Sequence, residues 1–144
     1  MSIFIKTIPK TLLINKKGVF CKGQITLNDF NETFEMPLTW WGIEMYQQQW
    51  QEGLNRLQSY DRSCLITSIL NPYKAPFLEW WLLYKKENKV YVYNEVLFEQ
   101  SYEEIIGNKI ISLETCYDFV PLTKIKSELP EGLQESEWII DFKK

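Results

Sequence analysis

The stretch of residues 40–94 constrains the fold most, because it carries three strong secondary-structure signals in succession. It predicts a glutamine-rich amphipathic helix, then an apolar strand at 64–70, then a tryptophan-rich hairpin at 77–94. Together these segments predict a dense packing core with almost no group able to do chemistry, and the chain contains no histidine. Such a core indicates a scaffold for binding rather than a catalytic site.

A long amphipathic helix is predicted over about residues 43–58. Its apolar residues recur at spacings of three and four, so that they share one face, and they are Ile43, Tyr46, Trp50, Leu54 and Leu57. The opposite face is polar and consists of Gln47, Gln48, Gln51, Glu52, Asn55 and Gln58. Gly53 costs the helix about 1 kcal/mol of propensity relative to alanine, which predicts a close approach by another element at that point. We expect that element to be the sheet.

Alternating and β-branched segments predict a mainly antiparallel sheet beside this helix. The strand candidates are residues 3–8, 19–27, 33–38, 64–70, 77–84, 90–93 and 137–142. Turn residues between the second and third candidates predict a hairpin, and Pro37 is expected near a strand end because proline cannot donate to a ladder. The 64–70 segment is expected to be a central strand, and the tryptophan-rich hairpin is expected near the middle of the sheet.

A short second helix is predicted near residues 102–106. Ser101 is placed as its N-cap with Glu104 three residues on, the reciprocal capping box, and Gly107 is expected to end it. The predicted fold class is therefore α+β, a mainly antiparallel β-sheet with the 43–58 helix packed on it. At 144 residues, 45% of them hydrophobic, the chain has the size of one ordinary domain, and we expect a single domain over residues 1–144.

The three cysteines predict free thiols in a reducing compartment. Cys21, Cys64 and Cys116 are far apart and form no CxxC pair, so their spacing favours neither a zinc site nor a redox motif. Lys6 and Pro9 interrupt the apolar runs near the N-terminus, unlike the core of a signal peptide, and no apolar run approaches the ~20 residues needed to cross a bilayer. We therefore expect a cytoplasmic protein that binds no membrane.

Charge is unevenly distributed along the chain. Residues 1–24 contain five lysines and no acid, whereas residues 95–144 contain eleven acidic and five basic residues. An acidic surface repels the phosphates of nucleic acid and attracts a basic protein, so the C-terminal half favours a protein partner and no nucleic acid. The alternative is a solvated acidic face that only confers solubility.

Catalytic and cofactor motifs are missing from the sequence. It has no glycine-rich phosphate loop, no HExxH and no GxSxG, and we expect no cofactor and no metal. The carboxylate pairs Glu103 with Glu104 and Glu135 with Glu137 could in principle do acid–base work. Neighbours on a helix point to different faces, however, and the second pair would share a solvated side, so a matched acid and base is not expected. A carboxylate enzyme is kept as an alternative.

Two tryptophan pairs leave a further alternative open. An extended backbone places one ring on each side in the pair of Trp40 with Trp41 and in the pair of Trp80 with Trp81. An exposed ring could anchor a protein interface or stack on a sugar, so a small-ligand or carbohydrate-binding module using exposed tryptophans stays an alternative function. A two-layer domain with the helix over one face and loops over the other would bury both rings of each pair, and we expect this arrangement.

A resemblance to a known family extends over residues 40–142. The segments that carry it are WWGIEMYQQQWQEGLNRLQSYDRSCLITSILNPYKAPFLEWWLLYKKENKVYVYNEVLF, IGNK, TCYDFVP and SEWIIDF. They resemble immunity proteins of bacterial contact-dependent growth inhibition systems. The resemblance implies a small cytosolic protein that binds and blocks one toxin domain, which a neighbouring cell delivers on a large filamentous exoprotein. Many such toxins are nucleases, often ribonucleases, and the resemblance implies no cofactor for the immunity protein.

The residues predicted to contact the toxin come from charge and expected exposure, because the family supplies no motif for them. A nuclease presents cationic groups to phosphates, so an inhibitor can occupy the same surface with carboxylates. The predicted contact residues are Glu99, Glu103, Glu104, Asp118, Glu128, Glu131 and Glu135, with Tyr102 and Tyr117 as aromatic anchors. We expect a monomer that forms a 1:1 heterodimer with the toxin, covers its active site and binds with nanomolar or tighter affinity, about −12 kcal/mol or beyond.

Overall fold

Two antiparallel sheets of four strands each carry the fold in the computed structural model, which describes residues 2–123 and 137–142. The first sheet contains β1 (Ile3–Thr7), β2 (Leu13–Asn15), β3 (Gly18–Leu27) and β4 (Phe30–Pro37). The second contains β5 (Arg62–Ile69), β6 (Phe77–Lys86), β7 (Lys89–Phe98) and β8 (Trp138–Asp141). The helices are α1 (Ile43–Asn55), which continues into a 3₁₀ turn at Arg56–Gln58, and α2 (Gln100–Ile105), followed by a 3₁₀ turn at Cys116–Phe119. The predicted α+β class is confirmed.

The first sheet is built around β3, the longest of its strands. The predicted hairpin forms, because β4 pairs along one side of β3, and Pro37 ends β4 as expected. The strands β1 and β2 follow one another along the other side of β3. Sequence patterning did not predict β2, since Leu13 and Ile14 are both exposed and give no alternation.

The second sheet has the order β5-β6-β7-β8, so the β6–β7 hairpin lies in its middle, as predicted. The prediction that the 64–70 segment is a central strand is wrong, because β5 lies at the edge of this sheet. Every residue of β5 after Arg62 is nevertheless buried, since α1 covers this strand. A strand that a helix covers has the same continuous apolar pattern as a strand between two others, and sequence alone cannot separate the two cases.

The helix α1 packs on β5 and buries the apolar face predicted for it. Tyr46, Trp50 and Leu57 are buried, and the helix with its 3₁₀ turn spans the predicted 43–58. Gly53 lies where the two elements come closest: a Cβ at this position would overlap the carbonyl oxygen of Cys64. The predicted close approach at Gly53 is therefore confirmed, and the approaching element is β5.

Substituting Gly53 by alanine is expected to lower the free energy of unfolding by about 1–2 kcal/mol. The added methyl group would push α1 away from β5. Its Cβ would lie 2.4 Å from a backbone oxygen, so we expect a cost in the upper part of the usual overpacking range, about 2–3 kcal/mol, of which helix propensity offsets roughly 1 kcal/mol. Urea denaturation measures the change. Gly42→Ala is the control, because no atom lies within 4 Å of a Cβ there, and it should change stability by less than about 1 kcal/mol. Equal or greater stability of the Gly53 variant would show that the contact with β5 can relax.

Side chains of α1 satisfy the backbone groups on the side of β5 that faces away from β6. The Gln49 side chain donates to the carbonyl oxygen of Cys64 (2.8 Å) and accepts from the amide of Ile66 (2.7 Å). The indole of Trp50 donates to the carbonyl oxygen of Ile66 (2.6 Å). Gln49 is fully buried, and its amide occupies the place that a neighbouring strand would take. The sequence pattern had assigned Gln49 to neither face of the helix.

The hydroxyl of Tyr46 connects the two sheets. It accepts a hydrogen bond from the amide of Ile69 at the end of β5 (3.2 Å) and donates one to the carbonyl oxygen of Pro37 at the end of β4 (2.8 Å). Tyr46 is fully buried, and this burial raises the pKa of its hydroxyl well above the usual range. One side chain thus fixes where β4 and β5 come together.

Tryptophan rings from both predicted pairs are covered, as expected. Trp41, Trp80 and Trp81 are at most 2% exposed, and Trp40 is half-buried against the core. All six tryptophans lie in the described part of the chain, and none of them is exposed. The carbohydrate-binding alternative required an exposed tryptophan platform, so it loses the feature on which it was based.

The helix α2 begins two residues before the predicted 102–106 segment. The predicted capping box is wrong: Ser101 lies inside the helix, and its hydroxyl exchanges hydrogen bonds with the backbone N–H and carbonyl of Phe98. Gly107 follows the helix with φ +69°, a conformation that glycine adopts without strain, so the predicted helix end is confirmed.

Candidate functional site

Three of the predicted contact carboxylates lie together at the start of α2. Glu99 precedes the helix, Glu103 and Glu104 lie within it, and all three side chains are exposed. Glu99 has φ +51°, which turns the chain sharply from β7 into the helix. The hydrogen bonds of Ser101 to Phe98 stabilise the same turn. The end of β7 therefore places a cluster of negative charge at one corner of the second sheet.

A cavity of about 280 Å³ adjoins this carboxylate cluster. Glu99 and Glu103 line one side, and the connection between β5 and β6 lines the other through Tyr73 and its proline neighbours. Tyr73 is 73% exposed, and its ring packs edge-on against Trp40 with 6.4 Å between the ring centroids. Phe98, at the end of β7, is 53% exposed. Two exposed aromatic rings thus accompany the carboxylates, a composition typical of protein interfaces.

Asp118 lies near this cluster, at the exposed side of the second 3₁₀ turn. It lines a separate cavity of about 460 Å³, and Lys109 and Ile110 line both this cavity and the one beside Glu99. The fold therefore brings together four of the predicted acids. Glu128, Glu131 and Glu135, the other three, lie outside the described residues.

The two predicted aromatic anchors are buried within the chain. Tyr102 is 4% exposed and Tyr117 is 8% exposed, and burial raises the pKa of both hydroxyl groups. The hydroxyl of Tyr117 accepts from the Gln49 side chain (3.3 Å), and its ring lies 4.1 Å from the Arg56 guanidinium. These contacts position the helices, and a contact of either ring with a partner stays a prediction. Beside the carboxylate cluster, sequence reasoning missed two exposed aromatic residues, Tyr73 and Phe98, because the sequence does not show that they are exposed.

A second surface feature, the inter-sheet cleft, lies between β4 and the adjoining parts of β5 and β6. Its volume is about 530 Å³, and Phe20, Phe34 and Phe77 supply an apolar lining. Glu79 projects into it from β6. Glu79 is the one charged residue of the predicted 77–84 strand, and this was the available sequence signal for the cleft.

The described residues offer little catalytic chemistry. All three cysteines are free and buried, and burial raises the pKa of the Cys64 thiol well above its usual range, so it is a poor nucleophile at neutral pH. Within residues 2–123 and 137–142, no group of three His, Cys, Asp or Glu side chains could hold a metal ion. In the same residues, no helix has the length and apolar character needed to span a bilayer.

Comparison with known proteins agrees with this arrangement. Residues 36–144 match the family described as the CdiI N-terminal domain. The chain belongs to the CdiI family. A curated relative, the immunity protein CdiI of Enterobacter cloacae subsp. cloacae, is 32% identical over 145 residues, which is 87% of this chain and 90% of the relative.

The fold of this CdiI family member also matches a solved structure. A chain of the CdiA-CT/CdiI toxin and immunity complex from Enterobacter cloacae superposes with a TM-score of 0.73 and 27% sequence identity. The match covers 96% of this chain and 90% of that chain. The resemblance to immunity proteins of contact-dependent growth inhibition is therefore confirmed, and the structural match extends over nearly the whole of this chain.

Proposed function

We propose that this CdiI family member binds and neutralises a cognate toxin domain, the C-terminal region of a large exoprotein, in the cytoplasm of the cell that makes it. The observation that carries this proposal is the similarity to a chain of a CdiA-CT/CdiI toxin and immunity complex, together with the similarity to a curated immunity protein CdiI. The binding partner is one toxin domain in a 1:1 complex. The protein itself turns over no substrate, in keeping with its buried thiols and its lack of histidine.

The surface proposed to bind the toxin is the α2 surface, which we define by four acids and two aromatic residues. They are Glu99, Glu103, Glu104, Asp118, Tyr73 and Phe98. The exposed rings supply apolar contact area at a small cost in side-chain entropy, and the carboxylates steer a basic partner during the encounter. Lys109 is the basic residue in the linings of the two cavities at this surface, so the balance there is negative.

The toxin is proposed to be a nuclease, with RNA as its substrate, and its active site is proposed to be the region that the α2 surface covers. A nuclease concentrates cationic side chains where the phosphate backbone binds. Carboxylates that pair with those side chains occupy the same place as the phosphates, so inhibition follows from steric occlusion without any change in the toxin's chemistry.

Co-purification tests the binding proposal. The protein is expressed together with the toxin domain encoded directly upstream of its gene, and the complex is analysed by size-exclusion chromatography with light scattering. We expect one copy of each chain per complex and a Kd of nanomolar or below. Separate elution of the two chains at micromolar concentration would contradict the proposed function.

Occlusion of the active site has its own test. A non-cleavable RNA oligonucleotide is titrated into the toxin, and the immunity protein is then added while fluorescence anisotropy of the RNA is followed. We expect the immunity protein to displace the RNA completely. A stable ternary complex of toxin, RNA and immunity protein would instead place the contact outside the active site.

The double substitution of Glu103 and Glu104 by lysine should slow association with the toxin by about tenfold at low salt, because it replaces attraction with repulsion during the encounter. Stopped-flow fluorescence over a range of salt concentrations measures the rate constant, and growth protection in cells gives the physiological readout. The matched control reverses Glu44 and Glu87, two exposed carboxylates on α1 and in the β6–β7 turn, with the same change in net charge. Equal slowing by both double variants would attribute the effect to net charge instead of the α2 surface.

A further inference from the structure

The inter-sheet cleft combines an apolar lining with acidic side chains. Besides its three phenylalanine rings, it is lined by Glu32 and Glu35 from β4 and by Glu79 from β6. Lys17, in the turn before β3, is the basic residue of the lining, so the cleft has more negative than positive charge. Apolar walls of low polarizability strengthen an electrostatic field inside a cleft, so a cation entering it would be attracted strongly.

A β-bulge holds Glu79 in this cleft. The pairing of β5 with β6 shifts register between Ile66 and Ser68, so Thr67 is the extra residue and has no partner across the ladder. The Thr67 side chain is fully buried, and its hydroxyl donates to the Glu79 carboxylate (3.1 Å). A bulge redirects a side chain at a specific point of a sheet, and here it directs a hydroxyl towards a half-buried carboxylate.

The Glu79 carboxylate has no cationic partner among the described residues. The ion pair found in the described part of the chain joins Lys89 to Asp141, in the other half of the second sheet, and Lys17 is not paired with any of the three cleft carboxylates. Burial raises the pKa of Glu79, and the negative charge of Glu32 adds to the effect, whereas the Thr67 hydroxyl opposes it. A half-buried carboxylate that receives only one hydroxyl hydrogen bond is costly for the free protein.

We infer that the inter-sheet cleft is a second contact point for the toxin and receives an arginine side chain of the toxin domain, whose guanidinium pairs with Glu79. This inference rests on the proposed function and adds a specific anchor to it. The connection between β5 and β6 lines the cleft through Leu70 and lines the cavity beside Glu99 through Tyr73. One partner bound over this connection would therefore contact both sites.

Arginine fits the lining better than lysine does. The guanidinium is planar and weakly hydrated, it pairs with carboxylates through two hydrogen bonds, and it stacks on aromatic faces, whereas an ammonium ion is compact and strongly hydrated. The phenylalanine rings provide aromatic faces, and Glu32 and Glu35 provide further acceptors. The aliphatic stem of the side chain would lie along the apolar lining.

Glu79→Gln separates the binding role of this residue from a structural role. The pKa of the Glu79 carboxyl is higher in the folded protein than in the unfolded chain. The folded protein therefore loses stability as the pH rises through the folded-state pKa, and the neutral amide of glutamine does not ionise, so the variant escapes this loss. The melting temperature of the free variant at pH 7 should therefore be higher than that of the unchanged protein. Its affinity for the upstream-encoded toxin domain should nevertheless fall about 30-fold or more, mainly through faster dissociation.

Surface plasmon resonance with the toxin domain measures both rate constants, and differential scanning calorimetry measures the melting temperature. Glu87→Gln, in the exposed β6–β7 turn, is the control and should bind unchanged. Double-mutant cycles identify the arginine. Each toxin arginine is replaced by lysine, and its effect on affinity is measured with the unchanged protein and with Glu79→Gln. One arginine should weaken binding to the unchanged protein but have no further effect on binding to Glu79→Gln. Tight binding by the unchanged protein together with equal affinity of Glu79→Gln would overturn the inference and leave the proposed function standing. Absence of binding by the unchanged protein would overturn both.

Discussion

Gln49→Ala is expected to lower the free energy of unfolding by about 3–5 kcal/mol, among the largest effects of any single substitution outside the aromatic core. The substitution removes the amide that donates to Cys64 and accepts from Ile66. Both backbone groups are buried under α1, so water cannot replace the lost hydrogen bonds, and each unsatisfied group costs about 1–3 kcal/mol. Chemical denaturation followed by tryptophan fluorescence measures the difference.

Gln51→Ala is the control for this prediction. Gln51 is exposed on the same helix two residues away, and its substitution should change the free energy of unfolding by no more than about 0.5 kcal/mol. Comparable losses in the two variants would show that the hydrogen bonds of Gln49 to β5 do not account for the loss, since alanine has a higher helix propensity than glutamine. The buried Gln49 would then contribute no more to the free energy of unfolding than an exposed glutamine of the same helix.

Tyr46→Phe should cost about 2–4 kcal/mol although it removes a single oxygen atom. The ring stays in place, so packing is preserved, but the amide of Ile69 and the carbonyl of Pro37 both lose their hydrogen-bond partner. Because these two groups belong to different sheets, the loss also loosens the junction of β4 with β5. Hydrogen exchange should show faster exchange at the Ile69 amide than in the unchanged protein.

Tyr60→Phe provides the comparison for Tyr46→Phe. Tyr60 is 55% exposed, and its ring contacts the Arg56 guanidinium, an interaction that phenylalanine retains. We expect a change of less than about 0.5 kcal/mol. A similar stability of Tyr46→Phe and Tyr60→Phe would show that the inter-sheet hydrogen bonds contribute little to the free energy of unfolding.

Local patterns predicted the elements that depend on near neighbours. The spacing of Tyr46 and Trp50 gave α1, alternation gave β3, and the apolar run around Trp80 and Trp81 gave the central hairpin. The approach of β5 to Gly53 was also predictable, because a glycine inside a strong helix usually reports on what lies against it. For α1, β3 and the hairpin, the physical cause lies within a few residues of the signal.

Features that depend on distant parts of the chain could not be predicted in the same way. The strands divide into two sheets, and β5 lies at the edge of the second. Both features depend on which element, a strand or a helix, covers the side of a strand that is not yet paired. The capping role given to Ser101 failed because the turn at Glu99 starts α2 earlier than the sequence pattern indicates. Gln49 has the same chemistry as its exposed neighbours, and only the position of β5 makes it structural.

The candidate binding site was predictable in its charge but not in its aromatic residues. Glu99, Glu103 and Glu104 are exposed and close together, because a short helix after a strand presents consecutive polar residues to solvent. Tyr102 lies among them in sequence, yet the helix turns its ring into the core. Tyr73 lies in the proline-containing connection between β5 and β6, and nothing in the sequence indicates that its ring is exposed.

The amide of Gln49 and the indole of Trp50 have a consequence for how recognition can evolve. Many binding proteins capture an extended peptide by letting it join the edge of a sheet, where main-chain groups are available to any sequence. On β5 those groups at Cys64 and Ile66 are already occupied from within the molecule, so a foreign chain cannot dock there without regard to its side chains. Selective recognition is then left to side chains on the surface, and these can change without breaking the hydrogen bonds that hold α1 on β5.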